Sequence, residues 1–332
     1  MNISVPSSAR RLALCTGAVV AVAAPMAASA AEPPLVADLR VETGSRALVA
    51  GSSFQTGTTS IATDRSQPAC GGTGAKKRVP GATALGTLID AADVTPALRP
   101  LRISDKFSFG LLVCGIGRAV ADDDSFWLFK VNHVSPEVGA DQFKVKPNDQ
   151  VLWYFSDTPS GRNTGDELGL SAPVRARTGA GVKVRVFSYD FKGVRKPAPG
   201  AKVIFGAGKT AIADAGGVAT VRRNSAGELK VRAVRGKDVP SPVVRVCVAR
   251  ELRECSPVRG KRIFGTLSPD SLRGTRGPDV LRASRGNDVI DVRGGGRDVV
   301  RCGLGSDRVR ATAEDRVARD CEVLNGRART PR

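Results

Sequence analysis

An aspartate that returns at nearly fixed intervals in the last quarter of the chain constrains the fold more than any other feature of the sequence. Successive members are 9, 9, 10 and 9 residues apart, and an aliphatic residue lies two positions after each. The five members are Asp270, Asp279, Asp288, Asp298 and Asp307. A glycine also lies two positions before four of them. This period predicts a stacked coil in which glycines form the turns, aliphatic side chains fill the interior and each carboxylate faces the gap between turns.

The repeat resembles the hemolysin-type calcium-binding nonapeptide, Gly-Gly-x-Gly-x-Asp-x-aliphatic-x. Residues 274–282 read Gly-Thr-Arg-Gly-Pro-Asp-Val-Leu-Arg, and the resemblance covers roughly residues 263–310. In that family, aspartates and loop carbonyls of two stacked repeats hold each calcium, and oxygen ligands suit this hard cation. The resemblance therefore implies calcium as cofactor, with all five aspartates as metal ligands. By the same analogy, the stacked pairs are Asp270 with Asp288, Asp279 with Asp298, and Asp288 with Asp307.

Arginines in the repeat leave a second interpretation open. An arginine lies three residues after four of the five aspartates, at positions 273, 282, 301 and 310. The repeat is also imperfect, because Ala283 replaces a motif glycine and an extra residue stands in the run 294–296. A column of guanidinium groups can repel a divalent cation or pair with the carboxylates in its place. The coil is expected in either case.

The N-terminus predicts export. Arg10 and Arg11 precede an apolar run over residues 12–24, and Ala28-Ser29-Ala30 offers a small-x-small cleavage site. This pattern predicts a signal peptide over residues 1–30, cleaved after Ala30, and a secreted or cell-surface protein. No later segment approaches about 18 uninterrupted apolar residues, so no membrane span is expected.

Six cysteines follow the predicted leader, and they fit an oxidising compartment. They allow 15 pairings. Positions along the chain favour three local disulfides, and no Cys-x-x-Cys pair supports the alternative of clustered metal ligands. The favoured pairs are Cys70–Cys114, Cys247–Cys255 and Cys302–Cys321.

Residues 31–165 predict an α+β domain with one short helix capped by Thr83. Residues 125–133 and 138–155 contain W-x-x-x-V-N, V-G and K-x-N-D-x-V-x-W. They resemble a bacterial family of unknown function related to the C-terminal domain of transcobalamin. That resemblance implies a β-grasp-like fold of one helix against a mixed sheet, and it leaves open a small corrinoid-like or glycan ligand. The aromatic residues of these segments are expected to alternate into the core.

Residues 166–250 show period-2 patterns between glycine- and proline-rich turns, which predict an antiparallel sandwich. They resemble bacterial immunoglobulin-like and carboxypeptidase-regulatory-like domains through segments 197–203 and 213–221. The segment carries 17 basic against 6 acidic residues, and the whole chain has a net charge of +19. The alternation predicts an outward anion-binding surface. Its candidate residues are Lys183, Arg185, Lys230, Arg232 and Arg245.

The sequence thus predicts a mainly β, multidomain chain: a β-grasp-like domain, a β-sandwich, a linker over 251–262, a parallel β-roll-like coil over 263–325 closed by a disulfide, and a tail over 326–332. We expect a non-enzymatic surface or matrix protein that adheres to an anionic cell-wall polymer or acidic polysaccharide, whereas nucleic acid is disfavoured. The alternative is a small-ligand binder acting through the first domain. An enzyme would require His133, the single histidine, or buried carboxylates to line a pocket.

Overall fold

The computed structural model describes residues 33–44, 46–66, 70–156 and 165–329, so the predicted signal peptide and its cleavage site lie outside the described residues. Several sheets and one α-helix make up these ranges, and the prediction of a mainly β, multidomain chain is confirmed. No described helix is long and apolar enough to cross a membrane.

The first part of the chain packs one helix against a mixed sheet, as the resemblance implied. Thr83 caps the helix by accepting a hydrogen bond from the Gly86 N–H at 2.9 Å, and the helix buries Leu85, Leu88 and Ile89. The elements are β1 Leu35–Glu42, β2 Ala47–Thr56, β3 Thr59–Ala62, β4 Lys76–Val79, α1 Ala84–Val94, β5 Leu101–Ser104, β6 Leu112–Ile116, β7 Ala119–Val120, β8 Phe126–Val131 and β9 Gln150–Ser156. Strand β1 pairs antiparallel with β2 and parallel with β9.

Aromatic side chains of β8 and β9 pack in this core rather than presenting a surface. Trp127 and Trp153 are 4% and 2% exposed, and Trp153 stacks on Phe129 with ring centroids 5.3 Å apart. Strand β1 shows why the two faces of the sheet differ. Its apolar residues face the helix, while the alternate charged residues Arg40 and Glu42 face the second part of the chain.

The second part consists of two sheets that enclose one apolar core. Its strands are β10 Glu167–Ser171, β11 Arg175–Arg177, β12 Gly181–Tyr189, β13 Arg195–Pro197, β14 Lys202–Phe205, β15 Lys209–Ile212, β16 Val218–Arg222, β17 Gly227–Val234 and β18 Val244–Ala249. In the first sheet β12 pairs with β10, β13 and β16; the second runs β11-β18-β17-β14-β15. Pairing is antiparallel except between β11 and β18. Valines of β12 and β17 fill the core, whereas the residues between them face outward.

The third part is a coil of two parallel sheets, with aliphatic side chains stacked between them. Its strands are β19 Arg262–Phe264, β20 Ser271–Arg273, β21 Val280–Arg285, β22 Val289–Asp291, β23 Val299–Leu304, β24 Arg308–Arg310, β25 Arg316–Val317, β26 Val323–Leu324 and β27 Arg327–Ala328. One sheet has the order β19-β21-β23-β25, and the other β20-β22-β24-β26-β27. Leu272, Ile290 and Val309 form one interior column, in register across β20, β22 and β24.

The coil continues the sheet of the first part, which the sequence did not predict. Strand β19 pairs in parallel with β2, placing Ile263 beside Ser53 and Phe264 beside Phe54. The two phenylalanine rings stack with centroids 5.0 Å apart. An eight-stranded sheet therefore runs from β25 of the coil to β8 of the first part.

The first and second parts meet through buried polar contacts. Arg40, which is 7% exposed, donates to Glu167 at 2.5 Å and to the Pro240 carbonyl at 2.6 Å. Lys130, which is 3% exposed, donates to the carbonyl oxygens of Tyr189 and Asp190. A smaller apolar contact joins Leu152, Tyr154 and Val239. The described residues all belong to one compact unit.

Candidate metal centre

All five predicted aspartates occupy the same place in the coil, directly before a strand. They precede β20, β21, β22, β23 and β24, and their exposed fractions run from 0% to 6%. In each repeat the second residue after the aspartate points into the core and the third points outward. The local sequence therefore buries a carboxylate in the turn and an aliphatic side chain in the strand of every repeat.

The carboxylates form hydrogen-bonded ladders along the coil. The backbone N–H of Asp270 donates to Asp288 Oδ1 at 2.8 Å, and that of Asp288 donates to Asp307 Oδ1 at 2.8 Å. On the opposite edge, the N–H of Asp279 donates to Asp298 Oδ1 at 2.7 Å. The structure thus brings together the three stacked pairs that the resemblance implied.

Residues outside the repeat close the ladders at both ends, and sequence reasoning missed them. Gln55 of β2 donates from Nε2 to Asp270 Oδ1 at 2.8 Å. At the far end, Asp315 accepts from the Asp298 N–H at 2.9 Å, and Glu322 accepts from the Asp307 N–H at 2.8 Å. Asp315 lies 17 residues after Asp298, close to the two-repeat spacing, so the period itself could have identified it.

The first two carboxylates differ from the last three in how their second oxygen is used. Thr266 donates to both oxygens of Asp270, and Thr275 does the same for Asp279. No threonine occupies the equivalent position in the later repeats, where residues 284, 294 and 303 are Ser, Gly and Gly. Within the described ranges, the buried Oδ2 atoms of Asp288, Asp298 and Asp307 have no hydrogen-bond partner.

These carboxylates carry an electrostatic cost. Burial, together with repulsion from the neighbouring carboxylates of Asp270 and Asp307, raises the pKa of Asp288 to about 7. Burial likewise raises the pKa of Asp298 to about 6, with added repulsion from Asp279 and Asp315. The pKa of Asp307 is also raised by burial. A cation beside the free oxygens would offset this cost.

The donor atoms present fit calcium. The turns stack so closely that backbone carbonyls adjoin the carboxylates: a Cβ added to Gly265 would lie 2.4 Å from Asp270 Oδ2 and 2.5 Å from the Ala283 carbonyl oxygen. Across the described part of the chain, no three His, Cys, Asp or Glu side chains converge on one point. Calcium would therefore be held by carboxylate oxygens of stacked aspartates together with turn carbonyls, an oxygen-only set that suits this ion.

The repeat arginines do not occupy the ladders. Arg273, Arg282, Arg301 and Arg310 are all exposed on the outer faces of their strands. Among the described residues, no ion pair joins any arginine to the five ladder aspartates. The interpretation in which arginine–aspartate pairs replace the metal is therefore not the arrangement of this structure.

The residues predicted to bind anions on the sandwich do not form one surface. Lys183 and Arg185 lie on β12 of the first sheet, whereas the other three lie on β17 and β18 of the second. Arg232 donates to Glu42 of the first part at 2.6 Å. Lys230 and Arg245 flank Glu228, at 3.7 and 3.4 Å. Strand alternation identified outward positions correctly, but it could not show which of them another part of the chain covers.

The three predicted disulfides are present. Cys70 is joined to Cys114, Cys247 to Cys255, and Cys302 to Cys321. The last pair is fully buried and ties β23 to the segment that ends the coil.

His133 lies in a turn, as expected, but its side chain lines a cleft. The cleft has a volume of about 1410 Å³ and is lined by all three parts of the chain. The His133 ring stacks on Tyr189 with centroids 3.8 Å apart, and its Nδ1 lies 3.1 Å from Glu167 Oε2. Burial acts to raise the pKa of Glu167, but the contact with His133 and the charge of Arg40 outweigh it and lower that pKa.

Comparison with known protein families finds matches in the first and third parts of the chain. A model described as a domain of unknown function, DUF4430, matches residues 112–157, which hold β6 to β9. A model described as the RTX calcium-binding nonapeptide repeat, in four copies, matches residues 264–296, which include Asp270, Asp279 and Asp288. No curated protein and no solved structure is significantly similar to the chain. Two stretches of the chain are therefore similar to DUF4430 and to the RTX calcium-binding repeat, and these repeats together with the three disulfides fit an extracellular protein.

Proposed function

We propose that this chain is a non-enzymatic extracellular protein whose coil binds calcium along the aspartate ladders. The observation that carries the proposal is the set of buried Oδ2 atoms on Asp288, Asp298 and Asp307, which have no hydrogen-bond partner in the described residues. In each of these carboxylates, Oδ1 already accepts a hydrogen bond from a backbone N–H. The second oxygen therefore remains available to a cation, whose charge would offset the repulsion along the ladder.

Calcium binding to the folded coil should stabilise it by mass action, since the unfolded chain does not hold the turns together. The test is thermal unfolding of the full-length protein, dialysed against chelator and titrated with calcium or magnesium. We expect a saturable rise in melting temperature with calcium and a smaller one with magnesium, which demands tighter octahedral geometry. An unchanged melting temperature up to millimolar calcium would exclude the metal.

A matched pair of variants separates ladder aspartates from other acidic residues of the coil. Asp298→Asn keeps an oxygen that accepts from the Asp279 N–H but removes the buried charge. We expect the calcium-free variant to be more stable than wild type by roughly 1–2 kcal/mol, and its response to calcium to be reduced. Asp291→Asn is the control, because Asp291 pairs with Arg293 on the outer surface. Equal calcium responses in both variants would contradict the assignment.

Secretion and adhesion belong to the same proposal. The disulfides and the leader pattern support export, and mass spectrometry of the mature protein should find Ala31 at its N-terminus. The net charge of +19 supports an anionic wall polymer or acidic polysaccharide as partner. A mature N-terminus at Met1 in secreted material would contradict the cleavage.

A small ligand in the cleft is the second candidate. It is favoured by the volume of the cleft and by the polar lining of His133, Glu167 and Tyr189. Because all three parts line the cleft, the whole chain rather than residues 31–165 should be tested. Calorimetry with cobalamin and with a neutral oligosaccharide should give a saturable heat that Tyr189→Ala abolishes. No heat from either probe would reject this candidate.

We assign no reaction to the cleft. His133 and Glu167 line the cleft, as an enzyme would require. Their contacts instead support a structural role in holding the first and second parts of the chain together. Glu167 is engaged by Arg40 of the first part, and the His133 ring is held against Tyr189 of the second.

A further inference from the structure

One outer face of the coil is cationic without compensation. We call it the arginine face: the exposed side of the sheet β19-β21-β23-β25. Arg282 and Arg301 stand directly beside each other on β21 and β23. Arg262 and Arg316 occupy the two ends of the neighbouring column, with Val280 and Val299 between them. No acidic residue occupies an outward position of these strands.

The four side chains of the arginine face are exposed, and within the described ranges none of them has an ion pair or a hydrogen bond. The Arg282 guanidinium lies over the Phe264 ring, 5.9 Å from its centroid. Neighbouring strands lie about 4.8 Å apart, so two adjacent arginines repel each other along the sheet. Nothing else on this face offsets that repulsion.

On the opposite sheet of the same coil, an acidic residue lies among the outward arginines. Its outward column runs Arg273, Asp291 and Arg310, so an aspartate separates the two arginines. The neighbouring Arg293 pairs with that aspartate at 2.6 Å. The side-chain hydrogen bond from Arg293, the charge of Arg293 and the nearby Arg273 lower the pKa of Asp291 to about 2. The two faces thus share a repeat and an arginine spacing, but only the opposite sheet places an acidic residue, Asp291, between the arginines of its column.

Composition identifies the class of anion. Residues 262–329 contain 14 arginines and no lysine, and the guanidinium fork binds carboxylate and phosphate groups through two parallel hydrogen bonds. The only aromatic residue in that range is Phe264, which is packed on Phe54. Single-stranded nucleic acids are bound by aromatic side chains on which bases stack, and this face offers no such platform. A sheet with two adjacent central cations and one further cation at each end suits an extended polymer that crosses the four strands and carries several charges along its length.

We propose that the arginine face binds an acidic polysaccharide, with Arg282 and Arg301 as its central contacts. The inference rests on the proposed adhesive function and moves its surface from the sandwich to the coil. Calcium in the ladders and polysaccharide on the arginine face use different atoms, so each can be lost without the other.

The test uses full-length protein in saturating calcium and immobilised heparin, an acidic polysaccharide, with neutral dextran as blank. The double variant Arg282→Ser/Arg301→Ser should bind heparin about tenfold more weakly, because two charge-assisted contacts are lost. The matched control is Arg273→Ser/Arg310→Ser, which removes the same charge from the opposite sheet and should stay close to wild type. The affinity should also fall with rising salt.

Equal losses in both double variants would overturn the proposal, because total charge rather than this face would then govern binding. Tighter binding to single-stranded DNA of similar charge than to heparin would overturn it in favour of nucleic acid. Melting temperature and calcium midpoint are measured on the same samples. If they are unchanged while heparin binding is lost, the arginine face is assigned; if calcium has no effect but heparin still binds, only the calcium function fails.

Discussion

At the scale of single residues, the last three ladder aspartates use their two carboxylate oxygens differently. In the first two repeats the backbone N–H groups of Thr266 and Thr275 donate to Oδ2, and their hydroxyls donate to Oδ1. Oδ1 of Asp298 accepts a hydrogen bond from the Asp279 N–H of the preceding turn, while Oδ2 is left without a partner in the described residues. The same aspartate is therefore structural at one atom and free to bind at the other.

The raised pKa values predict how the calcium-free protein responds to pH. The folded state holds a proton on Asp288 up to about pH 7, whereas the unfolded chain releases it near the ordinary value. Stability should therefore fall as pH rises between these values, and the chelated protein should have a higher urea midpoint at about pH 5 than at about pH 8. Asp90, whose pKa burial raises to about 6, acts in the same direction.

The double variant Asp288→Asn/Asp298→Asn isolates the contribution of the ladder to this pH dependence. Its urea midpoint should differ much less between the two pH values than that of the wild type. In saturating calcium the wild-type protein should instead have the higher urea midpoint at the higher pH, because protons compete with calcium for the carboxylates. A chelated wild-type protein that is more stable at the higher pH would show that the ladder does not titrate in this way.

At the scale of elements, the coil depends on turns that approach each other backbone to backbone. Gly305 has a φ of 146° and Gly295 a φ of 111°, so both lie in the region that favours glycine. The two glycines differ in how much space surrounds an added Cβ atom. A Cβ at Gly305 would meet the Gly286 carbonyl oxygen at 1.7 Å, whereas the nearest atom to one at Gly295 is 3.6 Å away.

This contrast predicts different costs for the same substitution. Gly295→Ala should lower the free energy of unfolding by about 1 kcal/mol, from backbone strain alone. Gly305→Ala adds a clash that separates two turns, and should cost roughly 3 kcal/mol or more. Chemical denaturation in saturating calcium measures both, and equal costs would mean that the turns are not packed as closely as the structure shows.

At the scale of the whole molecule, the coil is built on the first part of the chain. Strand β2 provides the strand beside β19, and Gln55 provides the first contact to the ladder. The carboxylate of Asp38 meets Lys261 at 3.1 Å where the coil begins. A coil expressed without these residues loses the neighbour of its first strand and exposes that edge.

We therefore expect a fragment of residues 258–332 to remain largely unfolded at a calcium concentration that stabilises the full chain. Far-UV circular dichroism and a calcium titration of both proteins provide the measurement. Folding of the fragment with the same calcium midpoint as the full chain would show that the docking on β2 is dispensable.

The sequence predicted what recurs locally and missed what joins distant segments. The period of the aspartates identified the coil and its stacked pairs, because each repeat carries the same turn and core residues. The pairing of β19 with β2 leaves no such pattern, since two short strand segments far apart in sequence meet over two residue pairs. Strand alternation placed Arg232 outward but could not reveal Glu42 opposite it. No sequence pattern pointed to the contact of Gln55 with Asp270.

The ends of the coil decide whether copies of this protein can join. Stacked parallel strands grow into fibres when their last strand presents free backbone groups to another chain. Here β2 covers the first strand, while β27 turns back antiparallel on β26 and side chains of Asp315 and Glu322 take the last N–H groups of the ladders. Because the repeat lies between two fixed ends, duplicating one full turn inside the gene would lengthen the rod by about 4.8 Å and leave both ends unchanged. The coil can thus change in length while the contacts of β19 with β2 and of β27 with β26 stay in place.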